Sequence, residues 1–370
     1  MGRETGQNLT SRKGAQSSDL HRSEQDGKKD VVCFSVKFHV VLRPFKLTVL
    51  REGFKSTMEK QSIVIVSRES ALALWQSKHV QSLLQAHYPT EDVSILGITT
   101  RGDRILDKKL SLIGGKGLFV KELETAMQEG RADLAVHSLK DVPMQLPAGF
   151  SLACVTVRED PRDVFVSSRF ACLEDMPEGA VVGTSSLRRE LMLKNRYPHL
   201  IVRSVRGNVG TRLSKLDAGQ FDALIMAGAG LKRLGFSDRI RQWIPAEVSL
   251  PAPGQGALGI EIRSDDEKLG RIVAFLNDEK TRAACAAERA VSRALGGSCQ
   301  VPLAAYAVDR GGSLWLRALV GDHRTGRMLF AQDCARYAQA EDLASRVVGQ
   351  LLKQGAQEVL DAVLSETRTK

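Results

Sequence analysis

From residue 62 onward, short apolar runs alternate with amphipathic stretches, whereas the first thirty residues show almost no apolar periodicity. Ile63 to Val66 has the length of a buried strand. Ser67-Arg68-Glu69-Ser70 then leads into a stretch with Leu72, Leu74, Val80, Leu83 and Leu84 at helical spacing. Val93 to Ile98 predicts the next strand, Gly102 to Gly117 a loop, and Leu118 to Gln128 a helix stopped by Gly130. Ala132 to His137 predicts a strand that ends at Ser138-Leu139-Lys140-Asp141. This β-α-β alternation predicts an α/β domain with a largely parallel sheet.

Near Asp160 the rhythm restarts. Val181-Val182, Ile201 to Val205 and Ala223 to Ala227 read as strands; SSLRR at 185–189, RGNVGTR at 206–212 and GLKRLG at 230–235 begin or form helices. PAPGQG at 251–256 predicts a crossover or hinge. Beyond Asp278 come a long helix (Thr281 to Leu295), strands near 304–308 and 314–320, and one amphipathic helix over about 340–364. The order predicts two α/β domains followed by a small α+β domain.

Composition narrows the class. The chain has 370 residues and is 43% hydrophobic, enough for two or three cores. The net charge of +10 invites a nucleic-acid reading, but residues 1–57 hold eleven Lys or Arg against six Asp or Glu, half of that excess. With no run of five like charges and 5% aromatics, neither nucleic acid nor a membrane is expected as partner. Residues 1–57 read as a disordered or non-native extension. Six cysteines without a C-x-x-C pair, and histidines without metal-ligand spacing, predict free thiols, a cytoplasmic location and no metal.

Three features carry candidate chemistry. Arg68, Arg188, Arg189, Arg206, Arg212 and Arg233 lie at predicted strand-to-helix junctions or in the loops beside them. Ligands bind there in open α/β sheets, and guanidinium forks suit carboxylates or phosphates. Each alone reads as a solvated surface arginine; the set reads as a site for a ligand with many negative groups. Asp141, beside Lys140, is either a proton donor or stabiliser of a developing cation, or an ordinary turn residue. Cys299 follows Gly296-Gly297-Ser298, an open setting for a nucleophile or covalent attachment, whereas Cys154 and Cys285 read as buried and inert. A two-lobed polyanion-binding protein is the competing reading; it has no use for Asp141 or Cys299.

Taken together, SRESALALWQ (67–76), TTRGDRILD (99–107), GGKGLFVKELE (114–124), DLAVHSLKDVP (133–143), VGTSSLRRE (182–190), RSVRGNVGTRLSKLD (203–217), AGLKRLG (229–235), PGQGALGIE (253–261) and GGSCQVPLAAYA (296–307) resemble the porphobilinogen deaminase family, bacterial type. The segments run in order from 62 to about 322. The resemblance implies two periplasmic-binding-protein-like α/β domains, 58–157 with 257–275 and 158–256, and an α+β domain at 276–370. It implies stepwise head-to-tail condensation of four porphobilinogen molecules with loss of ammonia, then hydrolytic release of linear hydroxymethylbilane, by a monomer in tetrapyrrole biosynthesis. It also implies a dipyrromethane primer, held by a thioether to Cys299. Asp141 would be the catalytic acid. Ser138, Lys140, Thr184, Ser186, Arg188, Arg189 and Arg212 would contact the cofactor, and Arg68, Arg206 and Arg233 the substrate. Lys116 and Phe119 would lie on a mobile loop. Many relatives read Glu-Gly-Gly-Cys where this chain has Gly296-Gly297-Ser298-Cys299.

Overall fold

A computed structural model describes residues 62–100, 120–296 and 301–369. Lys116, Phe119 and Cys299, together with the extension at 1–57, lie outside the described residues.

The first lobe runs β1 (Ser62–Arg68), α1 (Ala71–His87), β2 (Asp92–Ile98), α2 (Lys121–Gln128), β3 (Leu134–Ser138) and β4 (Phe150–Val155), with a 3₁₀ turn at Leu139–Asp141. The second runs β5 (Asp163–Val166), β6 (Val181–Gly183), α3 (Leu187–Arg196), β7 (Ile201–Arg203), α4 (Val209–Asp217), β8 (Ala223–Ala227), α5 (Gly228–Arg233) and β9 (Gln242–Trp243). The chain continues as β10 (Leu258–Arg263), α6 (Glu267–Val273), α7 (Glu279–Ala294), β11 (Leu303–Arg310), β12 (Ser313–Gly321), β13 (Met328–Arg336), α8 (Ala340–Lys353) and α9 (Ala356–Thr369).

Both lobes build one topology. The first sheet has the order β2-β1-β3-β10-β4 and the second β7-β6-β8-β5-β9. In each, four strands run in one direction and one, β10 or β5, runs against its two neighbours, so the sheets are largely parallel as expected, with a single reversed strand. The antiparallel strands β10 and β5 are those that follow a crossing between lobes. The fold class is therefore α/β twice over, followed by an antiparallel sheet, β11-β12-β13. Leu314, Leu316, Ala318 and Val320 of that sheet share one core with Val291 of α7, Leu343 and Val347 of α8, and Val359 of α9.

Helix starts follow local chemistry. Ser70, Asn208 and Asp278 cap α1, α4 and α7 by accepting from the backbone N–H of Ala73, Thr211 and Thr281. At the C-terminal end, Gly355 (φ +92°) breaks the single predicted helix into α8 and α9.

The two crossings lie side by side. Arg158 Nε donates to the Gln255 carbonyl (2.8 Å), Gln255 Nε2 to the Pro161 carbonyl (2.6 Å), and the Glu159 N–H to the Gly256 carbonyl (3.2 Å). Gly256 has φ +94°, and a Cβ there would stand 2.3 Å from the Glu159 carbonyl oxygen. Only glycine allows the two linkers this approach. Glu288 of α7 clamps the pair: it binds Arg158 at 2.6 and 3.1 Å and accepts from the Gly254 N–H at 2.7 Å.

Candidate active site

The carboxyl ends of β1, β3 and β6 and the loops after them supply most of the predicted site, as expected where ligands settle on open α/β sheets. Arg68 ends β1, Ser138 ends β3, and Thr184 to Ser186 follow β6. Arg206 lies between β7 and α4, and Arg212 in the first turn of α4. Arg233 departs from the expected placement, for it closes the six-residue α5 rather than opening a helix.

Asp141 is exposed at the end of the 3₁₀ turn, and its carboxylate makes no hydrogen bond among the described residues. The turn is held from below. Arg289 of α7 donates to the carbonyls of Val142 (3.0 Å) and Pro143 (2.6 Å). Helix α7 ends at Ala294, so the helix that braces the Asp141 turn stops five positions before Cys299 in the sequence.

Around Asp141 the charge is unbalanced. Lys140 is largely withdrawn from solvent, with Nζ 3.5 Å from Gln255 Oε1. Burial pushes its pKa down to about 8, with Arg189 and Arg188 adding to the fall and Asp141 and Asp163 opposing it. Arg212 donates Nε to the Gly207 carbonyl (2.8 Å), and its Nη groups make no hydrogen bond among the described residues. Burial, then Arg189 and Arg206, push it down to about 10, with Asp141 pulling the other way. The Arg206 guanidinium likewise has no acceptor or ion-pair partner among the described residues, while its carbonyl accepts from Lys215 Nζ.

Arg188 and Arg189 are placed differently from Arg212. Both are 6% exposed and bind a residue that escaped the sequence reading, Asp163 at the start of β5. Asp163 is fully buried and accepts from Arg188 Nη1 (2.6 Å), Arg189 Nη2 (2.8 Å), Ser249 Oγ (2.7 Å) and Gln255 Nε2 (2.9 Å). Burial alone would raise its pKa; the two guanidiniums reverse this and hold it far below the aspartate range. The Nε atoms of Arg188 and Arg189 are buried without a hydrogen-bond partner among the described residues. Nothing local in the sequence marks Asp163, whose partners stand 25 to 92 positions away.

The remaining residues have lesser constraints. Ser138 Oγ accepts from Gln76 Nε2 (2.8 Å), and Thr184 Oγ1 from the Ser186 N–H (3.2 Å). Ser186 precedes α3 without a side-chain capping bond. Arg233 donates to the Gly256 carbonyl (2.6 Å) and stands 5.9 Å from the Trp75 ring centroid, joining α5 to α1 of the other lobe. His137 meets Glu261 at 2.8 Å and is a satisfied core residue. Cys154 and Cys285 are buried, and burial pushes both thiols up to about 12.

Fold and site together define a two-lobed α/β protein with two hydrogen-bonded linkers and cationic groups around Asp141, whose carboxylate makes no hydrogen bond among the described residues. Residues 63–271 match the family described as "Porphobilinogen deaminase, dipyromethane cofactor binding domain", and 282–353 match "Porphobilinogen deaminase, C-terminal domain". The porphobilinogen deaminase of Laribacter hongkongensis is 57% identical over 303 residues, covering 82% of this chain and 98% of that one. That of Neisseria meningitidis serogroup A is 57% identical (83% and 99%), and that of Burkholderia thailandensis 58% identical (82% and 93%). The chain belongs to the porphobilinogen deaminase family. Among solved structures, the methionine-binding protein MetQ aligns at 12% identity and TM-score 0.40, covering 64% of this chain and 96% of that one, and no argument rests on it.

Proposed function

We propose that the cleft around Asp141 joins porphobilinogen units on a dipyrromethane primer attached to Cys299. The chain is a transferase of tetrapyrrole biosynthesis: four porphobilinogen molecules condense head to tail with loss of ammonia, and water releases linear hydroxymethylbilane. The observation that carries the residue assignments is the unbalanced charge: Arg212, near both Asp141 and Arg206, presents Nη groups that, like the Arg206 guanidinium and the Asp141 carboxylate, make no hydrogen bond among the described residues. Half-buried cationic groups left in this state match a ligand rich in carboxylates.

The residues fit the cofactor on the same ground. Two porphobilinogen units carry four carboxylates; the Arg212 Nη groups, which make no hydrogen bond among the described residues, would bind them, with Lys140, Arg188 and Arg189 adding positive charge alongside. When bound, the dipyrromethane supplies a nucleophilic pyrrole α-carbon. Asp141, unencumbered by protein donors, accepts hydrogen bonds from pyrrole N–H groups. It also stabilises the cation that porphobilinogen becomes when its C–N bond breaks and ammonia departs. The dipyrromethane would supply the α-carbon that accepts this unit and the proton that balances departure of the amine as ammonia. Arg206 and Arg212 hold acetate and propionate groups, and Arg68 and Arg233, one from each lobe, bind the incoming substrate. Ser138, Thr184 and Ser186 contribute hydroxyls at the strand ends.

Three domains are proposed, 58–157 with 257–275, 158–256 and 276–370, and the two crossings support the boundary between the first two. A cytoplasmic location and a monomeric state are proposed with this function; Cys154, Cys172, Cys285 and Cys334 are free thiols, in keeping with the first, and no helix among the described residues is long and apolar enough to cross a membrane. Incubation with porphobilinogen, with ammonia and product mass followed together, tests the reading. One ammonia per porphobilinogen and a linear tetrapyrrole are expected; consumption without ammonia would contradict it.

A further inference from the structure

Strand β12 divides its side chains between two environments. Leu314, Leu316, Ala318 and Val320 pack on the helices of the third domain, while Trp315, Arg317 and Leu319 alternate with them and point to the other face. That face looks onto α3 and the segment 246–250, and a cavity of about 750 Å³ lies between them. Its floor is apolar, formed by Leu191, Met192, Leu319, Met328 and Phe330, of which Met328 and Phe330 remain 39% and 46% exposed. Arg188 reaches one end, but its Nη groups are taken by Asp163, Ser249 and Leu250. A second cavity of about 550 Å³ shares Ala246, Glu247, Trp315 and Arg317 with the first.

Arg317 is the polar centre of both cavities. It is 5% exposed, stands 4.3 Å from the Trp315 centroid and 5.6 Å from that of Tyr306, and its buried Nε has no partner among the described residues. Its ion-pair partner is Glu247 at 2.7 Å. The pair is asymmetric, since the Glu247 side chain is 67% exposed and Arg317 only 6%. A buried guanidinium between two rings requires an anion, whereas an exposed carboxylate is nearly as well served by water. Glu247 is thus replaceable at little cost.

We propose that this cavity is a second binding site, distinct from the cleft at Asp141, for a flat aromatic carboxylate. The carboxylate takes the place of Glu247 on Arg317, and the ring lies on the floor of Met328, Phe330 and Leu319. Size and chemistry agree: the volume falls within the range of small-molecule pockets, and such sites pair an apolar lining with few polar anchors.

Calorimetric titration of the primer-bearing enzyme with 2-naphthoate tests this. Saturable binding is expected, with Kd below about 1 mM. Glu247→Gln removes the resident competitor and should tighten binding several-fold. Arg317→Met should weaken it roughly tenfold or more, as should exchange of the probe for neutral 2-naphthamide. Arg212→Met, in the cleft, should leave the affinity unchanged. Glu247 is a surface residue, so its variant keeps the test decisive if Arg317→Met fails to fold. Absence of saturable binding, an affinity indifferent to Glu247→Gln and to the charge of the probe, or loss of binding in Arg212→Met would each overturn the proposal.

Discussion

Asp163 holds Arg188 through two hydrogen bonds, at 2.6 and 3.2 Å, inside a protein region without solvent access. Because the same carboxylate reaches Arg189, Ser249 and Gln255, it ties the start of α3 to both inter-lobe linkers. The two arginines are therefore oriented before any ligand arrives, which lowers the ordering cost of binding.

Asp163→Asn should destabilise the protein by about 3–5 kcal/mol, since two buried guanidiniums lose their counter-charge. The pH dependence has a definite sign. A carboxyl held below its unfolded value contributes stability that is fully present above about pH 4 and is lost as the pH falls through the range below it. Urea unfolding from pH 6 to 3 should show this loss in the parent and a flatter profile in Asp163→Asn. Parallel profiles would contradict the assignment.

Asp141→Asn should separate activity from stability. The side chain is exposed and makes no hydrogen bond among the described residues, so the unfolding free energy should stay within about 0.5 kcal/mol of the parent. Turnover should fall by a factor on the order of 10²–10⁴. Equal losses of stability and rate would return Asp141 to the role of a turn residue.

Arg212→Met should act with opposite signs on two properties. Removing a half-buried guanidinium whose Nη groups make no hydrogen bond among the described residues should stabilise the protein by up to about 1 kcal/mol, while KM for porphobilinogen rises roughly tenfold. Denaturant midpoints and steady-state kinetics on one preparation would check both. A drop in stability would mean that the group is already paired within the protein.

Lys140 predicts an alkaline limb. With its pKa pushed down to about 8, it loses its charge as pH rises through that value, and the cleft loses affinity for carboxylates. The kcat/KM profile, which reports the free enzyme, should decline through about pH 8. Lys140→Arg, charged throughout, should flatten that limb; an unchanged decline would exclude Lys140 as its source.

What the sequence disclosed, and what it withheld, follows from the range of the interactions. The parallel strands β1, β3, β6 and β8 are short apolar runs, and Ser70, Asn208 and Asp278 mark helix starts within three residues of their acceptors. Such signals are local and were legible. Strands β4, β5, β10 and β13 were not. Strand β10 carries Gly259 and the buried Glu261, which finds His137 from 124 positions away, and β13 alternates exposed and buried positions on a half-covered sheet. Their existence depends on partners distant in the chain, and so does the role of Asp163. The arginines looked equivalent in sequence; only the structure separates Arg188 and Arg189, neutralised from within, from Arg212 and Arg206.

The most direct test of the central claim is the intact mass of the purified protein beside that of Cys299→Ser. The account predicts an excess equal to two porphobilinogen units less two ammonias in the parent and none in the variant. An unmodified parent mass, unchanged after incubation with porphobilinogen, would contradict it.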